Sequence, residues 1–513
     1  MKCSVLNRKT VFAVAFVAAL FSIFPLTDTD IWWHLACARE WVQTWTPSRS
    51  PVVNVHEYFQ RVVGFVYGIG GAPLLVAFKA VLWGVVFALF LLPHRERCAE
   101  SQSKPAALVG ATLAALVLFV FRYHFEIRPV LFSLLFLGIY WNLLPEILNS
   151  SSHSSRTSRL EPRTYFLLLF VLVIQWFWCK CQGLYILGPL FALAVLVSAW
   201  LGAWRLKIKL PKKVRLFHVG VVLALFAMPF LHSEGLNLFL YPFGLLDRLV
   251  GMSPSASVFA SEIAENRSPF TLLLAGENAL ECVVMIALCV AGLVFSIWNM
   301  LKGRLGLMPI CLFATAALAL IAERNFVLYM PVLLYGTVAF STNHQPPTTN
   351  HFLLSTSYFL LSTVYFLLFF LLGLWARSLL AYDISMIASQ RVPVDAAAWM
   401  AAHPHEGHLF NDDRAGGYLE FVNPSDPVYI DGRFILKTAD FFERYLRYAD
   451  DPALFMHDAD SLHIGRAIFP LRYYARWGSL LSVLEAQEDW NVAYRDSLYI
   501  VLNHDIWNFV SER

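Results

Sequence analysis

Charge is scarce in this chain: 15% of its 513 residues are Asp, Glu, Lys or Arg, whereas 58% are hydrophobic. A water-soluble fold could not bury that much apolar surface, so an ordinary globular enzyme and a disordered chain are both excluded. Cysteine is scarce too. None of the eight cysteines lies after Cys311, which excludes a disulfide scaffold and leaves the C-terminal region to stand on its own core. Cys179 and Cys181 flank Lys180 as a C-x-C, but two thiols are too few for a structural zinc site. The halves show no self-similarity, and Gly416-Gly417 lacks the G-x-G-x-x-G spacing of a dinucleotide site; that pair reads as a tight turn in a loop.

The net charge of +3 conceals a division at Arg377. Residues 1–376 hold 27 Lys+Arg against 16 Asp+Glu, a balance of +11, and residues 377–513 hold 12 against 20, a balance of −8. An acidic tail excludes nucleic acid as its partner, because phosphate binding needs a basic surface. Apolar runs able to cross a core of ~30 Å as ~20 helical residues lie near 10–26, 63–93, 105–121, 130–148, 164–178, 184–203, 216–231, 279–300, 305–322, 325–341 and 352–376, about eleven in all. The first follows Lys2, Arg8 and Lys9 and is read as an uncleaved helix.

With the N-terminus cytoplasmic, the inner segments carry 17 Lys+Arg, including Arg95, Arg97, Arg156 and Arg159, against 9 in the longer outer loops. Positive charge inside therefore places the tail outside. The STNHQPPTTN loop around His344 carries no basic residue, and one span more or fewer would reverse the tail. The fold expected is an α-helical polytopic membrane protein with a C-terminal extracytoplasmic α/β domain. Residues 1–376 form the membrane domain with outer loops 27–61 and 232–278, residues 377–391 a linker, and residues 392–513 the soluble domain. Within the soluble domain the patterns predict helices near Asp395–His403, Ala439–Tyr448 and Leu480–Glu485. Strands are predicted at HLF, YLEF, VYI, IGRAIF, WNVAYRD and LYIVLN.

After the first run come Asp28, Thr29, Asp30, Ile31, Trp32, Trp33 and His34. Two carboxylates beside two tryptophans and a histidine suit an interfacial belt with a helix cap. They equally suit a transferase, which needs a carboxylate to take a proton from an acceptor hydroxyl or to hold a divalent cation. His34 is either an assistant in proton transfer or metal binding, or an interfacial hydrogen-bonding residue.

The string DTDIWWHLACAREW resembles the D-P-D-x-W-W-H-L-x-x-G-x-W signature of a family of bacterial polytopic membrane proteins regarded as glycosyltransferases of the GT-C class. The resemblance continues at His56-Glu57-Tyr58, Gly70-Gly71, Lys79 and Arg128-Pro129 with Phe132-Ser133. In the tail it takes in Leu409–Asp412, Gly416–Leu419 and Ile430–Arg433, so that it covers most of residues 28–433. Thr29 departs from the usual Pro, Ala38 from the usual Gly, and His232–Gly235 from N-P-x-G, which bears on substrate detail more than on class.

The resemblance implies transfer of a sugar, with inversion, from a polyprenyl-phosphate donor to an extracytoplasmic glycan, lipid or protein acceptor. Asp30 is then the favoured base, with Asp28 orienting it or sharing a cation. It also implies residence in the bacterial cytoplasmic membrane, among membrane lipids. A lipid phosphate needs cations at the membrane surface. Arg128 and Arg324 are placed for that, although charges at span ends also snorkel. Lys79 lies mid-span and must face protein or a cavity, pairing with a carboxylate or reaching the donor phosphate. Glu57 and Glu262 are candidates for the acceptor side, with solvated loop charge as the alternative for Glu262. Asp412, Asp431 and Arg433 stand where ligands meet strand ends, or cap turns and form local ion pairs. The rivals are a transporter or lipid flippase and an inactive membrane scaffold; absence of repeats speaks against the transporter.

Overall fold

A computed structural model describes residues 8–49, 52–92, 104–153, 162–304, 306–341, 351–472 and 475–505. Lys2, Arg95, Arg97, Arg156, Arg159 and the His344 loop lie outside the described residues. The chain forms two compact units. One, the membrane unit, comprises Met1–Phe24, Val76–Val250 and Ile263–Tyr382; the other, the loop-tail unit, comprises Pro25–Leu75, Gly251–Glu262 and Asp383–Arg513. The first loop thus groups with the tail, whereas the sequence pattern assigns it to the membrane domain.

Each of the eleven apolar runs coincides with a helix, as their unbroken hydrophobicity requires. Among the described residues, five helices are long and apolar enough to cross a membrane: Glu57–Leu91, Pro129–Leu148, Gly183–Arg205, Lys212–Leu231 and Ala279–Leu301. The apolar helices Lys104–Val120, Pro162–Trp178, Leu307–Ile321 and His351–Ala381 accompany them. In the membrane unit large apolar side chains such as Phe166, Leu223, Val294 and Phe369 face outward. Such a surface is stable against lipid tails and costly against water, and it makes the chain a polytopic membrane protein.

The loop-tail unit has an apolar core of its own, with several charged side chains buried beside it. Its sheet has the order β1-β2-β4-β3, where β1 is His408–Asn411, β2 Ile464–Pro470, β3 Trp490–Arg495 and β4 Tyr499–His504. β1 runs parallel to β2, whereas β4 is antiparallel to both β2 and β3. Phe410 anchors the core, with ring contacts to Tyr429, Tyr448, Phe455, Phe469 and Trp477.

Two segments predicted as strands are not strands. YLEF belongs to the helix Asp413–Val422, which also contains Gly416 and Gly417, so the pair is not a turn. Asp412 caps that helix by accepting the Arg414 N–H at 3.1 Å. VYI is irregular, with a bend at Tyr429, and the Asn411 side chain holds it beside β1: its oxygen accepts the Tyr429 N–H at 2.8 Å and its amide donates to the Ile430 carbonyl at 2.7 Å. A further helix, Pro452–Ser461, goes beyond the predicted elements. Its Asp451 side chain accepts the Leu454 N–H at 3.1 Å and Pro452 opens the first turn, a start signal present in the sequence.

Candidate active site

The loop-tail unit gathers the first-loop carboxylates. Asp30 opens the helix Asp30–Arg39, where the unpaired N–H groups of the first turn favour negative charge. Asp28 is buried and accepts the Asp30 N–H at 3.3 Å, fixing the start of the helix, whereas Asp30 is half-buried.

Glycines of the tail make room for this helix. A Cβ on Gly417 would lie 3.0 Å from the Trp33 nitrogen and 3.2 Å from the Thr29 oxygen. One on Gly432 would collide with the Asp30 carboxylate, with Trp33 Nε1 3.4 Å away. A Cβ on Gly416 would strike the Ile430 carbonyl. These glycines answer to close approach, and Gly432 in particular seats Asp30.

His34 is buried in an aromatic stack, its ring 3.5 Å from that of Trp33, 4.9 Å from Phe59 and 5.1 Å from His56. Glu57 pairs with Arg61 one turn later at 2.6 Å. Glu262, exposed, ends the helix Pro254–Glu262, whose Phe259 stacks on Phe442 at 5.0 Å.

Arg433 is fully engaged in fastening loop to tail. Its Nε donates to Asp431 at 2.8 Å, Nη1 to the Val42 carbonyl at 2.7 Å and Nη2 to Glu420 at 2.8 Å, with a further bond from Nη2 to Asp431. Burial and the neighbouring Asp431 push the Glu420 carboxyl well above its usual range. Burial would raise Asp431 as well, but Arg433 holds it below its ordinary value. Asp431 therefore carries the negative charge that Arg433 neutralises. Nearby, buried Lys437 donates to Thr44 and Thr46 hydroxyls, both at 2.7 Å, and burial brings its ammonium down to about 8. Asp412 accepts the Trp477 indole N–H at 2.7 Å; burial, then Asp413, raises it to about 6.

The membrane unit gathers the candidate cations. Arg128 donates to Glu265 at 2.7 Å and Arg324 to the Asn266 side-chain oxygen at 2.9 Å, so consecutive residues of one short 3₁₀ turn, Ala264–Asn266, draw both arginines together. Burial alone would raise Glu265, but Arg128, assisted by Arg324 and His124, holds it at about 2. His124 lies 2.7 Å from Glu281 and 3.9 Å from Glu323. The sequence pattern singles out Glu262; the partner of Arg128 is Glu265, three residues on, and no motif in the chain announces that pairing. Lys79 is fully buried, donating to the Phe24 carbonyl at 3.2 Å with its ammonium 3.4 Å above the Phe24 ring.

Among the described residues, no three His, Cys, Asp or Glu side chains are grouped to hold a metal ion. Cys179 and Cys181 are buried and not joined in a disulfide.

The fold is shared with solved oligosaccharyltransferases of Archaeoglobus fulgidus. The archaeal oligosaccharyltransferase AglB in complex with an inhibitory peptide and a dolichol-phosphate superposes with a TM-score of 0.53 at 13% identity, over 94% of this chain and 72% of that one. The apo form gives 0.54 at 14%, over 92% and 72%. A form tethered to an acceptor peptide containing the NVT sequon gives 0.54 at 13%, over 98% and 74%. No protein-family model matches the chain and no curated protein is similar to it in sequence. At these identities the likeness is one of fold alone.

Proposed function

We propose that this protein is a membrane glycosyltransferase that moves a sugar from a polyprenyl-phosphate donor to an acceptor outside the cytoplasm. The observation that carries the reading is the fold shared, over more than nine tenths of the chain, with enzymes solved with a dolichol-phosphate and with an acceptor peptide. The first-loop carboxylates and the paired arginines supply chemistry suited to it. Asp30, half-exposed at a helix start, acts as base toward the acceptor hydroxyl. Asp28, buried and bonded to the Asp30 N–H, positions it. Arg128 and Arg324 receive the donor phosphate, since guanidinium offers parallel N–H bonds to phosphate oxygens. Attack by the activated hydroxyl at the anomeric carbon expels the lipid phosphate and inverts that centre. The first loop and tail face outward, in keeping with the distribution of basic residues.

Purified full-length protein in proteoliposomes, supplied with polyprenyl-phosphate sugars and candidate acceptors, tests this reading by mass spectrometry of the products. Transfer is expected, with a loss of about 100-fold or more on Asp30→Asn. Equal rates in the variant would remove Asp30 from the chemistry. Solute movement across the vesicle without a sugar donor would favour a transporter instead.

A further inference from the structure

In the loop-tail unit, Leu35, Ala38 and Arg39 of the first-loop helix, Arg61, Gly64 and Gly68 of the Glu57–Leu91 helix, and Phe421 line a half-open groove of about 120 Å³. Its charged wall is built in advance. The Arg39 guanidinium lies 4.3 Å above the Phe421 ring and donates to the Phe421 carbonyl at 3.2 Å. Phe421 is itself wedged against Tyr67 and Trp32, with ring centres 5.3 and 5.4 Å away. Held flat in this way, a guanidinium with five N–H donors spends one on the backbone and presents the others without the entropy cost of ordering a long side chain. Arg61 forms its ion pair with Glu57 between side chains 69% and 32% exposed; such an exposed pair contributes little, so turning the guanidinium toward a lipid phosphate costs little.

The rest of the groove is apolar and small-sided. Gly64 lets the two helices meet, since a Cβ there would lie 2.5 Å from that of Ala38, while Gly68 faces open space with no atom within 4 Å of its Cβ position. Beside it Phe65 and Ile69 are 71% and 64% exposed, on a helix long and apolar enough to cross a membrane. Two cations at a mouth and an uncovered apolar helix face at its side are complementary to a molecule with an anionic head and a hydrocarbon tail.

We infer that this groove is a binding site for an anionic glycerophospholipid of the surrounding membrane, its phosphate between Arg39 and Arg61 and the start of one acyl chain along Gly64, Phe65 and Gly68. A resident lipid here would brace, through Leu35 and Ala38, the same helix that Asp30 opens. The site is separate from the donor-phosphate role given to Arg128 and Arg324 and does not depend on it.

The test is a binding measurement on the full-length detergent-solubilised protein, titrated with short-chain phosphatidylglycerol, phosphatidylcholine and inorganic phosphate and read by native mass spectrometry. Phosphatidylglycerol is expected to bind at least about tenfold more tightly than phosphatidylcholine, whose quaternary ammonium would sit beside two guanidiniums and cancel the headgroup's negative charge, and inorganic phosphate, lacking the acyl chain, far more weakly. Arg39→Gln with Arg61→Gln should erase the preference. Gly68→Leu, whose Cβ would have no atom within 4 Å and whose longer side chain would compete with the acyl chain, should abolish binding while leaving the unfolding temperature unchanged; it decides the matter if the double variant misfolds. Equal binding of the two lipids, undiminished phosphatidylglycerol binding in Gly68→Leu, or inorganic phosphate binding as well as the lipid would each overturn the assignment. None of these readouts involves sugar transfer, so failure here and failure of the proposed activity are distinct.

Discussion

The two units treat arginine in opposite ways. In the loop-tail unit two carboxylates, Glu420 and Asp431, enclose one guanidinium, and Arg433 spends Nε, Nη1 and Nη2 on Asp431, Val42 and Glu420. In the membrane unit two guanidiniums, Arg128 and Arg324, meet at one turn carrying the single carboxylate Glu265 beside Asn266. A saturated, buried cation is structural: it fastens the first loop to the tail and stabilises by being matched at every donor. In the proposed reading, the two arginines that share this turn take a further anion, the donor phosphate. The same residue type, equally conspicuous in the sequence, thus serves cohesion in one unit and, in the proposed reading, binding in the other.

Removing the saturated cation should do the most damage. Arg433→Ala leaves a buried carboxylate without its partner, which costs about 3–5 kcal/mol; a large fall in the unfolding temperature followed by tail tryptophan fluorescence is expected, and an unchanged one would break the distinction between the units. Crowding the seat of Asp30 comes next. Gly432→Ala forces the Asp30 carboxylate aside, with overpacking of about 1–3 kcal/mol and, in the transfer assay, a loss of about 100-fold from displacing the base. If activity survived, Asp30 would be a helix-start residue and nothing more.

Asp412→Asn turns an amide N–H toward the Trp477 N–H or gives up the cap, costing about 1–3 kcal/mol. It also sharpens the electrostatic picture. Because burial raises Asp412 from 3.8 to about 6, the folded state binds a proton that the unfolded state has released, so its contribution is full below pH 3.8 and is lost as pH rises through about 6. Unfolding measured across that window should show a downward slope in the natural protein that is flatter in the variant. The smallest effect on stability belongs to Arg324→Gln, within about 0.5 kcal/mol, although the apparent KM for a lipid-phosphate donor should rise about tenfold. Destabilisation of the size expected for Arg433→Ala would place both arginines in one structural class.

Much of this is legible residue by residue. The apolar runs are helices, and IGRAIF, WNVAYRD and LYIVLN form β2, β3 and β4, because hydrophobicity and β-branching act locally. YLEF misleads because Tyr418, Leu419 and Phe421 suit either period, and because Gly416 and Gly417 discourage a helix unless a neighbour demands close approach; Thr29 and Trp33 are that neighbour. VYI misleads because an Asn side chain can hold an irregular segment beside a strand. The concentration of chemistry at Asp28, Asp30 and His34 is visible in the chain, and so are the arginines. Which of them share a turn is not.

By itself, then, the sequence determined the solvent of each region: unbroken apolar runs must leave water, and an acidic, cysteine-free tail must fold within it. Only the tertiary structure decided that the first loop groups with that tail, that Gly432 seats Asp30, and that Arg433 is spent while Arg128 and Arg324 gather at Glu265 and Asn266. Burial follows from the composition of a segment, whereas the partner of a charge depends on which distant backbone comes within ~3 Å of it, and that is set by packing across hundreds of residues.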